Sequence, residues 1–355
     1  MFQGDESLAA RYRGDAMSRP STPAPPSLPP LAPLRPPVTP SPAGIRRIGA
    51  LLLAPSWRRF AFIGASKNAG KTTALNAAAQ ALGGSPGPVG LVSMGIDGEK
   101  RDVWLDIPKP PVQVQAGTLV ITGEEIVARS GGLLRTLAAT GRQSSFGATV
   151  VARARAPGGV MLAGIRQRRD LVEAVALLEA HGATRVCIDG AYHRQAAAHP
   201  AVADALVVVV GAVLSERAPD IAALACVTIE ALLTAPLSEP IDAAGTVVVD
   251  GALSDHLLEE CGLLDGRGGN SDSATRRFVV ADPSRVLLGE RSLLALRRAA
   301  IRIEAHRAIP IAAIALNPHR PQGVDVSTAD LATALQIELA ARGLTVPPFV
   351  DVAEN

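Results

Sequence analysis

Short apolar runs alternate along most of the chain with longer segments whose apolar positions recur at helical spacing. The runs predict buried β-strands, and the longer segments predict helices that cover them. The predicted strands include Phe60–Gly64, Val89–Ser93, Arg185–Ile188, Ala205–Val210, Thr246–Val249, Arg277–Val280 and Pro310–Ala315, and the predicted helices include Lys71–Leu82 and Leu171–His181. This alternation predicts an α/β fold of three layers, with a mostly parallel sheet between two layers of helices.

Residues 103–165 depart from this alternation. Short β-rich runs occur at Val112–Gln115, Thr118–Ile121, Ala148–Ala152 and Val160–Ala163, interrupted by one helical pattern at Glu124–Leu137. We therefore expect a β-rich excursion from the α/β fold over about residues 103–165.

A proline-rich segment precedes the predicted fold. Residues 20–42 contain eleven prolines, which have no amide hydrogen to donate to a helix or a sheet. Such a composition is typical of a solvated, extended chain. The sequence predicts a disordered tail over residues 1–44 and one folded domain over residues 45–355, beginning near Ile45–Trp57.

Composition argues against several classes of function. The net charge of +2 and the 3% of aromatic residues do not favour binding to nucleic acid. The three cysteines, Cys187, Cys226 and Cys261, include no Cys-x-x-Cys pair, which favours free thiols in a reducing compartment over disulfides or a zinc site. No apolar stretch approaches the ~20 residues of a membrane span. We expect a cytoplasmic protein that binds neither nucleic acid nor membrane.

The segment Ala65–Thr72 (Ala-Ser-Lys-Asn-Ala-Gly-Lys-Thr) matches the phosphate-binding loop, or P-loop, in the form that begins with alanine. It lies between a predicted strand and a predicted helix, which is the context that the motif requires. Main-chain N–H groups of such a loop, together with the helix N-terminus, bind the phosphates of ATP or GTP. The predicted nucleotide-binding residues are Ser66, Lys67, Asn68, Ala69, Gly70, Lys71, Thr72 and Thr73.

Within this motif, Lys71 is predicted to bridge the β- and γ-phosphates and Thr72 to coordinate Mg²⁺, with Thr73 near the α-phosphate. All four lysines of the chain, Lys67, Lys71, Lys100 and Lys109, lie in the loop or shortly after it. A compact ammonium group fits among phosphate oxygens better than a guanidinium group does. Lys67 stands four positions before Lys71, whereas MinD-like ATPases carry their second lysine five positions before. It is either a further phosphate contact or a solvated loop residue.

Carboxylates at strand ends are the candidates to complete the metal site. Asp189 ends the apolar strand Arg185–Ile188 in the manner of a Walker B residue, and Asp250 offers the same local pattern as an alternative. Asp97 follows the strand Val89–Ser93, where it would act as a metal-linked or switch residue. Lys71, Asp189 and Asp97 are the predicted catalytic residues, and Thr72, Asp189 and Asp97 are the predicted Mg²⁺ ligands.

Two further positions are candidate contacts. Asn317, before Pro318, follows a late predicted strand and would offer its amide to the nucleobase, although Asn-Pro is also a common turn pair. Lys109-Pro110 would add a substrate or phosphate contact.

A series of short blocks resembles the KamB-like proteins, the reactivase subunits of lysine aminomutase. The blocks are Ser66–Thr73 with Leu75-Asn76, Gly95–Glu99, Lys109-Pro110, Phe146-Gly147, Leu162–Gly164, Ile188–Ala191 with Arg194, Asn317-Pro318 and Phe349–Val352. They occur in order over about residues 58–352, and the P-loop and the Ile-Asp-Gly-Ala block are the specific ones.

The resemblance implies a P-loop ATPase that helps to restore an adenosylcobalamin-dependent aminomutase, with MgATP as its cofactor. It also implies that Asp97 senses the γ-phosphate and that Arg194 stabilises transferred charge. Two alternatives remain open, since the motif itself does not reveal what the nucleotide is used for. One is an ATP-dependent small-molecule kinase or ligase similar to dethiobiotin synthetase, with an acceptor pocket in residues 103–165. The other is a nucleotide-dependent regulatory module with little turnover.

Overall fold

The computed structural model describes residues 35, 38–53, 57–95, 111–190, 195–264 and 275–353. The helices in these residues are α1 (Pro42–Leu53), α2 (Lys71–Leu82), α3 (Glu124–Ala128), α4 (Arg168–Ala180), α5 (Ala218–Leu232), α6 (Asp255–Glu260), α7 (Glu290–Arg298) and α8 (Thr328–Ala341). The first nine strands are β1 (Arg59–Gly64), β2 (Val89–Met94), β3 (Val112–Val114), β4 (Leu119–Gly123), β5 (Leu134–Ser144), β6 (Gly147–Ala154), β7 (Gly158–Val160), β8 (Gly164–Ile165) and β9 (Arg185–Asp189). The remaining strands are β10 (Ala205–Gly211), β11 (Ala235–Pro236), β12 (Thr246–Val249), β13 (Leu253–Ser254), β14 (Arg277–Val280), β15 (Val286–Leu287), β16 (Arg302–Ala305), β17 (Ile311–Asn317) and β18 (Phe349–Asp351).

A ten-stranded main sheet has the order β18-β17-β10-β1-β9-β2-β4-β6-β5, and β8 pairs with β2 beyond the end of β4. The strands from β18 to β4 are mutually parallel, whereas β6 is antiparallel to both β4 and β5. The predicted α/β class with a mostly parallel sheet is confirmed. Because parallel strands end on the same side, their last residues define one edge of the sheet, here called the carboxyl edge.

Helices cover both faces of the main sheet. Phe60 and Phe62 of β1 belong to one apolar core, which α1 and α2 complete, and Ala61 and Ile63 belong to a second core, which α4, α5 and α8 complete. Successive residues of one strand are therefore buried on opposite faces, which explains the uninterrupted apolar runs. None of the described helices has the length and apolar character needed to cross a bilayer.

Helix α1 begins at Pro42, three residues before the predicted start of the folded domain. Proline suits the first turn of a helix because the amide hydrogen it lacks has no intrahelical partner there. The first turn of α1 is joined to the end of β18, since the Ser41 amide donates to the carbonyl oxygen of Val352 over 3.2 Å. A Cβ at Gly44 would lie 2.5 Å from the carbonyl oxygen of Asp351, so the two backbones pack closely.

The β-rich excursion occurs within residues 111–165, but the predicted helix Glu124–Leu137 is wrong. Helix α3 ends at Ala128, and the long strand β5 begins at Leu134 and forms a hairpin with β6. Gly131 and Gly132 separate them with φ angles of 60° and 86°, in the left-handed region that a right-handed helix cannot include. The two glycines therefore divide what looked like a single helical pattern.

A second, four-stranded sheet has the order β11-β16-β14-β12 and is parallel throughout. The predicted strands at Thr246–Val249 and Arg277–Val280 exist as β12 and β14, but they belong to this separate sheet. The segment that contains it, 235–305, lies between α5 and β17 in the chain. A third apolar core, which includes Phe278 and Val280, fills this part of the molecule.

A buried arginine lies at the centre of the second sheet. Arg277, 1% exposed, donates to the carboxylate of Glu304, to the hydroxyl of Thr246 and to the main-chain carbonyls of Glu239 and Pro240. The contacts connect β14 to β16, to β12 and to the chain between β11 and β12. Since buried charges are stable only when paired and hydrogen-bonded, this network fixes how the four strands meet.

Candidate functional site

The predicted phosphate-binding segment forms a strand–loop–helix unit at the carboxyl edge. Strand β1 ends at Gly64, the loop takes residues 65–70, and α2 begins at Lys71. The Ala65 amide donates to the carbonyl oxygen of Val209 in β10 over 2.8 Å. The first hydrogen bond of helical type in α2 runs from the Ala74 amide to the carbonyl oxygen of Gly70, over 3.1 Å. The amides of the first helical residues have no intrahelical partner, so the N-terminus of α2 presents donors and partial positive charge at this edge.

Three glycines let the 65–70 loop pack closely onto the sheet. A Cβ at Gly211, the last residue of β10, would lie 2.5 Å from the carbonyl oxygen of Ala69. A Cβ at Gly64 would lie 2.7 Å from the carbonyl oxygen of Ser66 and 3.3 Å from Cγ of Lys71. The stem of Lys71 therefore passes directly over the end of β1. Gly70 has a φ of 95°, which favours glycine.

The predicted loop residues differ in their exposure. Lys67 is exposed, Asn68 and Lys71 are half-buried, and Ser66 is buried with its Oγ lacking a hydrogen-bond partner within the described parts of the chain. Asn68 also has a positive φ, of 60°, which asparagine tolerates better than most residues. Most buried hydroxyl groups have a hydrogen-bond partner, so the Ser66 hydroxyl is an exception that calls for an explanation.

Thr73 contacts Val38, which lies in the segment that was predicted from the sequence to be a disordered tail, residues 1–44. Its hydroxyl, on the first turn of α2, donates to the carbonyl oxygen of Val38 over 3.2 Å. Further along, the guanidinium group of Arg35 donates two hydrogen bonds to the carboxylate of Asp325, at 2.5 and 3.0 Å. The described residues between 35 and 41 thus connect α2 to the loop after β17; we name them the N-terminal strap. No feature of the sequence around Thr73 predicted this contact.

Asp189 lies one strand away from the 65–70 loop. It ends β9, which pairs directly with β1, and its register partner is Phe62, two residues before Gly64. The Gly190 amide donates to the Phe62 carbonyl over 3.0 Å, which continues the pairing past Asp189. Asp250, in contrast, is exposed and follows β12 of the second sheet, which does not pair with β1. Of the two candidates, Asp189 is the one whose strand adjoins the loop.

Asn317 ends β17 at the same edge, and its side chain is 7% exposed. Its Nδ2 donates to the carbonyl oxygen of Ala69 over 3.3 Å, and a Cβ at Gly70 would lie 2.2 Å from that nitrogen. The amide therefore supports the loop directly, while its contact with a nucleobase stays a prediction. Its Oδ1 has no hydrogen-bond partner in the described residues.

Several predicted residues lie outside the described parts of the chain: Asp97, Lys100, Lys109, Pro110 and Arg194. In the described parts, no group of three or more His, Cys, Asp or Glu side chains is arranged to hold a metal ion. Thr72, half-buried on the first turn of α2, and Asp189 are therefore the two predicted Mg²⁺ ligands that the structure brings to the carboxyl edge.

A cavity of about 380 Å³ opens between β4, the β5–β6 hairpin, β8 and α4. Arg142 on its wall binds the carboxylates of Asp170, at 3.2 Å, and Glu173, at 2.5 Å. The hydrogen bond between Arg142 and Glu173 raises the pKa of the guanidinium group and lowers the pKa of the carboxyl group, so both are charged at neutral pH. The cavity lies partly in residues 103–165, where the sequence analysis placed the acceptor pocket of the kinase or ligase alternative, and α4 contributes to its lining as well. That the cavity accepts a substrate stays a prediction.

Comparison of the chain with protein-family models, with curated proteins and with solved structures gives no significant match. Any functional interpretation therefore depends on the motifs and on the geometry of the carboxyl edge.

Proposed function

We propose that the chain binds ATP with Mg²⁺ at the 65–70 loop and hydrolyses it. The observation that carries the proposal is the close packing of this loop between β1 and α2, with the stem of Lys71 passing over Gly64. A P-loop needs this arrangement, because the lysine ammonium and the main-chain amides must reach the same phosphates. The orphaned hydroxyl of Ser66 is consistent with a ligand at this place.

In the proposed complex, each part of the edge has a separate role. The loop amides and the N-terminus of α2 bind the β-phosphate, and the Lys71 ammonium group binds between the β- and γ-phosphates. Thr72 and Asp189 would hold Mg²⁺, with Asp97 as a third ligand expected from the sequence. Bound Mg²⁺ neutralises charge on the phosphate oxygens. Asn317 holds the loop in shape from the side opposite to Asp189, since β17 and β9 lie on opposite sides of β1.

We further propose that hydrolysis serves a partner protein, as in a reactivase of an adenosylcobalamin-dependent aminomutase. The support is the resemblance to KamB-like proteins and the position of its blocks. Gly64 and the loop, Asp189, Asn317 and Asp351 all stand at carboxyl ends of parallel strands, and Gly147 begins β6 beside the end of β4 at the same edge. Ligand sites of parallel α/β sheets form at this edge, so these resembling blocks lie where a site is expected.

A small-molecule kinase or ligase is a second candidate function, and the cavity beside α4 favours it. Its volume of about 380 Å³ is within the range of ligand pockets, about 300–1,000 Å³. Both candidate functions share the same nucleotide site, so the nucleotide site is tested first.

Nucleotide affinity measured by titration calorimetry with ATP and GTP tests the site. Lys71→Ala is expected to weaken binding at least thirtyfold, about 2 kcal/mol, because a charge-assisted contact to phosphate is lost. Arg58, exposed just before β1 and therefore at the other end of that strand from the loop, provides the control: Arg58→Ala removes one positive charge and is expected to cost less than about threefold. Equal losses of affinity in Lys71→Ala and Arg58→Ala would mean general electrostatic attraction only, and unchanged affinity in Lys71→Ala would contradict the assignment of the site.

The metal ligands are tested with the variant Asp189→Asn. Its affinity for ATP in EDTA is expected to equal that of the wild type, whereas the gain in affinity on adding Mg²⁺ is lost, since a neutral amide is a poorer Mg²⁺ ligand. Asp250→Asn is the matched control and keeps the gain. If the gain in ATP affinity on adding Mg²⁺ is lost in Asp250→Asn and kept in Asp189→Asn, the metal ligand has been assigned to the wrong strand.

The two candidate functions, a partner-directed ATPase and a small-molecule kinase or ligase, are distinguished by what stimulates ATP hydrolysis. A partner-directed ATPase is stimulated by an aminomutase, and it binds that partner differently with ATP than without nucleotide. A kinase or ligase consumes ATP only with a metabolite. Hydrolysis that responds to metabolites and to no mutase would overturn the reactivase proposal and leave the nucleotide site intact.

A further inference from the structure

The N-terminal strap is fixed to the loop that follows β17. Arg35 binds the carboxylate of Asp325 through two hydrogen bonds, at 2.5 and 3.0 Å. The Val326 amide donates to the carbonyl oxygen of Pro318 over 3.1 Å, so this loop returns to the end of β17. One end of the strap is therefore held beside the strand end that carries Asn317, the predicted contact of the nucleobase.

The strap also contacts the first turn of α2. There the carbonyl oxygen of Val38 accepts the hydrogen bond of the Thr73 hydroxyl over 3.2 Å, and Thr73 is 3% exposed. Helix α2 follows the carboxyl end of β1, and β10 alone separates β1 from β17 in the sheet. With about 4.8 Å between neighbouring strands, the ends of β1 and β17 are about 10 Å apart. The strap thus lies at the carboxyl edge between the predicted contacts of the α-phosphate and of the nucleobase.

The contact between Thr73 and Val38 uses the atom that the α-phosphate is expected to need. A threonine hydroxyl has one hydrogen to donate, and here Thr73 donates it to the Val38 carbonyl. An α-phosphate oxygen is an acceptor as well, so it would require the same hydrogen and the position that the carbonyl oxygen of Val38 holds. Two acceptor oxygens in one position repel each other, so the strap and an α-phosphate exclude each other at Thr73.

We propose that the N-terminal strap is an autoinhibitory segment, which occupies the α-phosphate side of the nucleotide site and is displaced when ATP binds. The inference rests on the proposed nucleotide site and adds a means of regulating it. Only molecules with the strap displaced bind ATP fully, so the strap lowers the apparent affinity in proportion to the fraction of molecules in which it is closed. Whatever loosens the strap therefore favours nucleotide binding.

The variant Arg35→Gln tests the strap, because Arg35 anchors it and is 43% exposed, so its loss leaves the fold intact. Titration calorimetry with ATP and Mg²⁺ is expected to show about fivefold tighter binding than in the wild type. Removal of a positive charge by itself weakens attraction for a polyanion, so charge alone gives the opposite result. Equal or weaker ATP binding in Arg35→Gln would overturn the proposal.

Arg46→Gln is the matched control. Arg46 is exposed on α1, beyond the strap, and its replacement removes the same charge. It is expected to leave ATP affinity within about twofold of the wild type, or to lower it slightly. A gain in Arg46→Gln as large as in Arg35→Gln would show that the effect does not come from the strap.

Pyrophosphate tests which side of the site the strap occupies. Its two phosphate groups can take the β and γ positions at the 65–70 loop and Lys71 while the strap stays closed. Its affinity is therefore expected to be equal within about twofold in the wild type and in Arg35→Gln. A gain as large for pyrophosphate as for ATP would contradict the placement of the strap at the α-phosphate.

Hydrogen exchange reports the displacement directly. The Arg35 amide donates to the carbonyl oxygen of Pro321 over 2.9 Å, so its hydrogen exchanges slowly only while the strap is in place. Saturating ATP is expected to speed this exchange in the wild type, as measured by NMR. Slower exchange would mean that the strap closes over the nucleotide, and unchanged exchange that it lies elsewhere; either result would overturn the proposal.

The same titrations distinguish failure of the strap from failure of the nucleotide site. ATP that binds neither the wild type nor Arg35→Gln would overturn the nucleotide site, and the inference with it. Equal ATP binding to both proteins would overturn the inference alone. ATP binding that is detected only in Arg35→Gln would support both the site and its inhibition by the strap.

Discussion

The side-chain amide of Asn317 donates to the carbonyl oxygen of Ala69, 248 positions earlier in the chain, over 3.3 Å. The same side chain fills the space into which a Cβ of residue 70 would project. The left-handed backbone of Gly70 and the position of Asn317 therefore depend on each other. The shape of the 65–70 loop therefore depends on the last residue of β17 as well as on the loop's own residues.

The first prediction concerns that pair. Gly70→Ala is expected to lower the free energy of unfolding by about 3 kcal/mol, from left-handed backbone strain and from the clash with Asn317. In an Asn317→Ala background the clash is largely removed, and the same substitution should cost about 1.5 kcal/mol. Urea unfolding of the four proteins measures the coupling. Additive effects of the two substitutions would show that the side chains do not interact.

The second prediction concerns the N-terminal strap. Thr73→Val removes the donor to the Val38 carbonyl and is expected to destabilise the fold by about 1 kcal/mol. The amide of Ser41, which pairs with Val352, should exchange its hydrogen faster as the strap loosens. Thr73→Ser keeps the hydroxyl and is the control. A large loss of ATP affinity with unchanged Ser41 exchange would instead support the α-phosphate contact that the sequence predicts for Thr73.

The third prediction concerns the buried pair in the second sheet. Glu304→Gln leaves Arg277 buried without a counter-charge and is expected to cost about 3–5 kcal/mol at pH 7. Glu239→Gln, which affects only an exposed pair with Arg302, should cost less than about 1 kcal/mol and is the control. Thermal or urea unfolding of both variants measures the difference. Similar stability of the two variants would contradict the role given to Arg277.

The same pair predicts a pH dependence. Burial raises the pKa of Glu304, but hydrogen bonds from Ser238 and from Arg277 lower it by more, so the pKa lies below its ordinary value of 4.5. A carboxyl group with a depressed pKa stabilises the fold above the pKa of the unfolded chain, and this stabilisation is lost as the pH falls through the folded pKa. The stability gap between the wild type and Glu304→Gln should therefore be constant above about pH 5 and shrink below 4.5.

The fourth prediction concerns the thiols. Burial raises the pKa of Cys187 and of Cys226 to about 12, whereas Cys261 is exposed. Since the thiolate is the reactive form, a thiol reagent at pH 8 should modify Cys261 alone in the folded protein and all three cysteines in urea. Cys261→Ser should show no fast reaction. Rapid modification of two or more thiols in the folded protein would mean that one of the cores is open to solvent.

The strands of the main sheet were predictable because each is buried on both faces and reads as a continuous apolar run. β1, β9 and β10 lie within one residue of their predicted bounds at each end. Strand β5 was missed because its polar positions continued a helical pattern that only Gly131 and Gly132 interrupt. The separation of β12 and β14 into a second sheet was not predictable either, since a strand's choice of partner depends on distant parts of the chain.

Some features of the candidate site were likewise predictable from the sequence, and others were not. The 65–70 loop and Asp189 were predictable, because their residues form local patterns next to strands. The support of the loop by Asn317, the contact between Thr73 and Val38 and the share of α4 in the cavity each join residues that are far apart in sequence. Such contacts leave no local signal, and only the fold brings them together.

The link between the first turn of α1 and the end of β18 has a consequence for synthesis on the ribosome. Ser41 is made long before its hydrogen-bond partner Val352. Helix α1 can pack against α2 as soon as both have emerged, but its first turn must wait until β18 has been made. The outer strand β18 is the last of the described strands of the main sheet to be made, and until it joins, the edge of β17 is open to pairing with other chains.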